Sequence, residues 1–217
     1  MVAKVKVLNN REEWLRARGK SIGGSDAAAI IGRNPYKSNV DLWREKTGQV
    51  EVEDISDKPD VKYGIEAEHH LRELFKLDYP EYKVFYTENN LWMNDQYPWG
   101  HYSADGWLED KDGRRGILEI KTTSILQSMQ REKWKDRIPD NYYVQIIHGF
   151  LITESDFAIV KAQLKSEFRG EIYLQTKHYY INRAEVLDDI EILAHREKIF
   201  WQYMKEGVKP SLILPQI

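Results

Sequence analysis

The chain has 217 residues, 41% of them apolar and 31% charged, with a formal net charge of −3. That length and balance suit one globular domain able to bury a core. The absence of Cys excludes disulfides, thiolate zinc sites and cysteine-ligated iron–sulfur clusters.

No apolar run approaches the roughly 18 residues of a membrane helix. The opening MVAKVKVLNNREEW lacks a secretory h-region, so a reducing cytoplasm is the expected setting. Slight acidity argues against a protein that coats nucleic acid, but not against an enzyme that meets it through local basic clusters. Arg11, Arg16, Arg18 and Lys20 form one such cluster, and Arg131, Lys133, Lys135 and Arg137 another. Clusters of this size are also common on solvated helix faces.

In chain order, a helix is expected over about 10–18, stopping at Gly19. GGSDAAAIIG then reads as a short apolar helix with Ser25 as N-cap and Gly32 as its stop. Ser38 and Asp41 resemble a capping box for a third helix that ends at Gly48. The acidic stretch 49–60 suits a surface connection, and a strong helix follows over about 60–77. KVFYTENNLWMN and GHYSADGWLED…GILEIKTT have the short β-rich runs and turn signals of a strand meander. DNYYVQIIHGFLIT reads as a buried helix, FAIVKAQL and EIYLQTKHYYI as strands, and about 184–206 as an amphipathic last helix. This order predicts an α/β or α+β domain around one central mixed sheet flanked by helices.

The run GILEIKTT, residues 116–123, is a buried strand interrupted by Glu119 and Lys121. A three-residue hairpin loop at Lys111–Gly113, with Gly113 left-handed, would set Asp105 opposite Glu119 and Ser103 opposite Lys121. A bulge at Gly116 would alter that register. Residues two apart on a strand share a face, so Asp105, Glu119 and Lys121 converge. Ala104, Gly106, Leu118 and Ile120 then point the other way.

Facing carboxylates repel unless one protonates or a cation lies between them. An all-oxygen set suits Mg²⁺ or Mn²⁺, which would lower the pKa of a bound water that Lys121 positions. A surface ion pair on a half-exposed strand is the plainer alternative. Glu68 bears on the choice: Gly64, Glu68, Leu71 and Phe75 make one stripe on the 60–77 helix, placing an acid on its buried side. Gln145, in a nearly all-apolar helix, also needs a partner if buried. His69 and His70 diverge by about 100° on a helix and make poor joint ligands. His101 and His148 read as ordinary core residues.

Together, YGIEAEHHLRELF, SADGW, LEIKT and YYVQIIHGFLIT resemble, in sequence and order, the lambda-exonuclease-like (YqaJ-type viral recombinase) nucleases of the PD-(D/E)XK superfamily. WLRARGKSIGGSD is similar to that family's N-terminal motif. The resemblance implies a restriction-endonuclease-like core over about 60–205, preceded by a helical 5′-phosphate motif over 10–48, in a single domain spanning 1–217. It implies metal-dependent 5′→3′ degradation of one strand of linear duplex DNA, in a phage or prophage setting. The 3′ tails would pass to a single-strand annealing partner, and family members commonly form a trimer around DNA.

By position, Asp105, Glu119 and Glu68 resemble metal-binding carboxylates, with Ile120 adding its backbone carbonyl. Two ions per site are implied. Lys121 matches the water-orienting lysine and Gln145 the motif glutamine. Arg18, Ser25 and Ser103 match residues holding the terminal 5′-phosphate, and Tyr142 is placed with the DNA-binding set. The superfamily's proline before the aspartate is Ala104 here, which touches backbone stiffness more than chemistry. A site-specific endonuclease, an exonuclease of opposite polarity and a non-catalytic DNA-binding protein remain the rivals.

Overall fold

The computed structural model describes residues 3–215. Short elements come first: β1 (Lys4–Val7), α1 (Arg11–Gly19), α2 (Gly24–Ile30) and α3 (Asn39–Lys46). The long α4 (Pro59–Asp78) leads into β2 (Lys83–Phe85), β3 (Asn90–Met93), β4 (Gly106–Glu109) and β5 (Arg115–Ser124). After α5 (Ser128–Glu132) and α6 (Asp140–Thr153) come β6 (Phe157–Phe168), β7 (Glu171–Asn182) and α7 (Leu187–Glu206). Among the described residues no helix is long and apolar enough to cross a membrane.

Local chemistry sets most of these boundaries. Pro59 occupies the first turn of α4, where a missing N–H costs nothing. Ser38 and Asp41 form the expected capping box of α3. Glu154 and Gly207 take left-handed conformations that stop α6 and α7. The expected cap of α2 is different. Gly23, not Ser25, is the N-cap, and the Asp26 carboxylate accepts the Gly23 N–H at 2.9 Å. Ser25 lies inside the helix and is exposed.

The main sheet has the order β2-β4-β5-β6-β7, with β5 and β6 parallel and the other neighbours antiparallel. The parallel pair needs a crossover, which α5 and α6 provide. The expected meander is not continuous. β3 leaves the main sheet and pairs antiparallel with β1, a strand absent from the sequence reading. Its Asn90 side chain then does the work of a ladder, bonding the N–H and the C=O of Ala104, each at 3.0 Å.

Two apolar layers sandwich β5. Leu118 and Ile120 pack with Leu71 and Phe75 of α4, and full burial of each such side chain contributes about 1.5–3 kcal/mol. Ile117 faces the opposite layer, with Ile147 and Phe150 of α6. α6 is fully buried from Ile146 to Thr153, with α2 and α7 packed against it. Ala104 joins the α6 layer rather than the α4 side expected for it. The alternation breaks because the β4–β5 ladder ends at Gly106–Leu118, and residues 102–104 are held by β3 instead.

The hairpin register is the expected one, with Gly113 left-handed at φ +77° and no bulge at Gly116. Gly116 serves packing: a Cβ there would lie 2.3 Å from the Phe157 ring. Gly116→Ala is therefore expected to cost about 1–3 kcal/mol by overpacking. Thermal unfolding checks this, at roughly 2–4 °C of Tm per kcal/mol for a chain of this size.

Candidate active site

Glu119 sits at the centre of the polar group that the strand pattern announces. Its side chain is only 2% exposed, yet both oxygens are occupied by donors. Oε1 accepts from Lys121 Nζ at 2.6 Å and from Gln145 Nε2 at 2.5 Å, while Oε2 accepts from the Tyr102 hydroxyl at 2.5 Å. Burial of a carboxylate is tolerable only with this degree of pairing. Burial and the adjacent Glu119 charge push the Tyr102 hydroxyl well above its usual range, so it stays a donor.

Asp105 follows just beyond the end of the β4–β5 ladder. One carboxylate oxygen accepts the Ile120 N–H at 2.8 Å, which ties the aspartate to the middle of β5. Its main-chain carbonyl accepts from Arg72 of α4 at 2.6 Å. Burial first, then repulsion from Glu119 and Glu68, raises the Asp105 carboxyl well above the ordinary carboxylate range. Burial alone would lower Lys121, but Glu119 and Asp105 more than reverse that and raise it. Lys121 is therefore an ammonium in this state, 16% exposed, a donor rather than a base. It lies 5.0 Å above the Tyr142 ring, which packs on Trp134.

Glu68 lies on the buried stripe of α4, and its charge reaches Asp105. Its nearest partner is Arg72, at 2.9 Å, one helical turn on. Among the described residues no three acidic or imidazole side chains are gathered closely enough to hold a metal together. The donor set nevertheless suits a hard divalent cation. Asp105 and Glu119 repel one another in a buried setting, and Mg²⁺ ordinarily takes only one or two protein carboxylates and keeps several waters.

A cleft of about 690 Å³ is lined by Arg18, Ser25, Lys46, Val52, Ile55 and His101 among others. Asp105 and Glu119 do not line it, but both lie within electrostatic reach of Arg18. Arg18 stacks on Trp14, 4.1 Å from the ring centroid, and burial lowers its pKa against the pull of Asp26 and Asp105. Lys46 bonds Asp26 at 2.7 Å and the carbonyls of Arg18 and Ser21, which fixes the turn from α1 into α2. Ser25 shares the cleft with Arg18. Ser103 is placed differently: its hydroxyl donates to the Asn90 carbonyl at 2.9 Å, and it is not paired with Lys121.

Three contributors escaped the sequence reading: Tyr102, Arg72 and Asn90. Arg72 carries a usable signal, since it lies one turn beyond Glu68 on the same helix, the spacing of an ion pair; the structure buries it. Nothing local distinguishes Asn90 from an ordinary turn residue.

The profile of the YqaJ-like viral recombinase domain matches residues 13–156. The chain belongs to this family. An uncharacterised protein, YqaJ of Bacillus subtilis (strain 168), is 34% identical over 140 residues, 64% of this chain but only 41% of that protein's length. An alkaline exonuclease (LHK-Exo) from Laribacter hongkongensis has the same fold, with a TM-score of 0.63 at 15% identity, over 91% of this chain and 94% of the other. A phage-related exonuclease from Haemophilus somnus 129PT superposes with a TM-score of 0.58 at 15% identity, over 86% and 96% of the two chains. Membership places the Asp105–Glu119–Lys121 group inside the matched span, whereas α7 lies outside it.

Proposed function

We propose that this protein is a metal-dependent exonuclease that degrades one strand of linear duplex DNA in the 5′→3′ direction. The observation that carries the reading is the convergence of Asp105, Glu119 and Lys121 at the middle of β5, with the Arg18 guanidinium, which lines the cleft that also holds Ser25, in electrostatic reach of both carboxylates. Similarity of fold to an alkaline exonuclease supports the reaction class.

Asp105 and Glu119, with the Ile120 carbonyl, would hold Mg²⁺ or Mn²⁺, and Glu68 would join if released from Arg72; two ions are the family expectation. When bound, such an ion supplies charge neutralisation at a phosphate and a water of lowered pKa. The Lys121 ammonium orients the attacking water and donates to the developing charge on the phosphate. Arg18 provides the counter-charge for a terminal 5′-phosphate, with Ser25 as a neutral donor beside it. Gln145 and Tyr102 keep Glu119 aimed. Hydrolysis breaks the bond between phosphorus and the 3′ oxygen of the terminal nucleotide, so each cut leaves a new 5′-phosphate for the next. The remaining 3′ strand would serve recombination through an annealing partner, and a homotrimer would enclose the duplex.

End-labelled linear and circular duplexes, incubated with Mg²⁺, Mn²⁺ or EDTA, test this. Expected is metal-dependent loss of 5′-phosphorylated linear strands only. Cleavage of circles would favour a site-specific endonuclease, and binding without cleavage in either metal would end the catalytic reading. Arg18→Ala should reduce the preference for a 5′-phosphate over a 5′-hydroxyl by roughly 10- to 100-fold, the loss of one charge-assisted hydrogen bond of about 1.5–3 kcal/mol.

A further inference from the structure

We infer that Glu197 of α7 is a positioning residue for this site: through His148 and the backbone of His101 it fixes Tyr102 and Gln145, the two side chains that aim Glu119. The inference rests on the reading of Glu119 as a metal ligand. Glu197 and His148 are both 0% exposed, and their contact of 2.7 Å joins Glu197 Oε1 to His148 Nδ1. The other ring nitrogen, Nε2, lies 2.8 Å from the His101 carbonyl. A carbonyl only accepts, so Nε2 carries a proton. The second carboxylate oxygen of Glu197 accepts from the Trp99 indole at 3.1 Å.

Glu197 therefore ties down both ends of the short segment Trp99–His101, directly at Trp99 and through His148 at His101. The next residue is Tyr102, whose hydroxyl bonds Glu119. Gln145 lies one turn before His148 on α6 and bonds the other Glu119 oxygen. One carboxylate on a distant helix thus holds both elements that grip Glu119.

Little slack exists for another arrangement. A Cβ on Gly24 would lie 2.9 Å from Gln145 Cγ, and one on Gly149 would lie 3.0 Å from the Tyr102 ring. A Cβ on Gly100 would approach His148 at 3.3 Å. An error in the Glu197 anchor is thus passed on rather than absorbed, because packed interiors resist small displacements. Packing alone does not call for an acid here, since Glu197 occupies an otherwise apolar stripe with Ile190, Leu193 and Phe200.

Glu197→Ala leaves the Trp99 indole and His148 Nδ1 without partners. Glu197→Gln does not: its carbonyl accepts from Trp99 and its amide donates to a neutral His148. Two readouts are needed, Mn²⁺ binding to the DNA-free protein by calorimetry, and the ¹³C-tyrosine NMR signal of Tyr102, assigned with Tyr102→Phe. Expected for folded Glu197→Ala is a displaced Tyr102 signal and Mn²⁺ affinity reduced ~10- to 100-fold, the usual effect of losing a residue that orients a metal ligand. Turnover should fall while KM for linear duplex holds, and Glu197→Gln should restore both readouts.

An unmoved Tyr102 signal with unchanged Mn²⁺ binding in Glu197→Ala overturns the inference. So does a Glu197→Gln variant as impaired as the alanine. If Glu197→Ala does not fold, Trp99→Phe removes only the indole donor, and the same two readouts decide. A wild type that binds no Mn²⁺, together with a Tyr102 signal that still moves in Glu197→Ala, would reject the metal reading and keep the positioning role.

Discussion

Replacing Lys121 with Ala is expected to reduce nuclease turnover by roughly 10²–10³-fold, the usual loss when one preorganised donor to developing charge is removed. Duplex binding should persist, because the Arg18 cleft is untouched. Stability should fall as well. Lys121 is the only cation bonded to Glu119 among the described residues, and it meets a carboxylate 2% exposed at 2.6 Å. Tyr102 and Gln145 would remain as neutral donors, so the loss lies below the 3–5 kcal/mol or so of stripping a buried pair completely. Lys121→Arg separates the two effects. It keeps a cation beside Glu119 and should recover much of the stability, but its planar fork cannot place a single donor where the ammonium stands. Single-turnover assays with Mg²⁺ and urea unfolding in EDTA check the pair. Full activity in Lys121→Ala would remove this residue from the chemistry.

How much of this was legible beforehand depends on the range of the interaction. The β4–β5 register followed from one turn, because a left-handed Gly113 and a three-residue loop leave a single way to pair the flanking strands. Period-two alternation on β5 then put Glu119 and Lys121 on one face. Helical stripes expose Glu68 as a misplaced acid, and the same pattern marks Glu197 among Ile190, Leu193 and Phe200. What stayed hidden is what the chain joins across distance. Asn90 bonds Ala104 through a side chain that mimics a strand, and no periodicity encodes that. Tyr102 looks like any core aromatic until its hydroxyl is seen on Glu119. Ser25 fits the N-cap preference by type, but Asp26 accepts the Gly23 N–H and leaves the serine free for the cleft. Arg18 and Ser25 enter only through the family resemblance, since local propensity alone favours a structural cap.

Asp105→Asn should abolish nuclease activity and at the same time make the metal-free protein more stable. The reason is the sign of the carboxyl's shift. Burial, Glu119 and Glu68 raise the folded pKa of Asp105 above its unfolded value of ~3.9. Between those two values the native state holds a proton that the unfolded chain has released, so stability falls as pH rises through that window. Above the folded pKa the whole penalty is present. Asparagine is neutral throughout, and its side-chain oxygen can still accept from the Ile120 N–H, so it removes the repulsion and keeps the bond. In EDTA the variant should therefore unfold at a higher temperature than wild type, by roughly 2–4 °C for each kcal/mol relieved. The gap should widen from about pH 4 upward and then level off.

Divalent metal should invert this order. A ligand that binds only the native state stabilises by RT ln(1 + [L]/Kd), about 2.7 kcal/mol at 100 times Kd. Wild type would gain that amount with Mg²⁺ or Mn²⁺, while Asp105→Asn, short of one anionic ligand, would gain little. Because the metal must displace the proton on Asp105, the wild-type gain should also shrink as pH falls. Paired unfolding scans of both proteins in EDTA and in Mg²⁺ at two pH values test every part of this. A variant less stable than wild type in EDTA would mean that Asp105 contributes more as a hydrogen-bonded anion than it costs as a repelled one. The carboxylate pair would then be a structural ion cluster, with its charge already balanced by Lys121, and not a site held in tension for a cation.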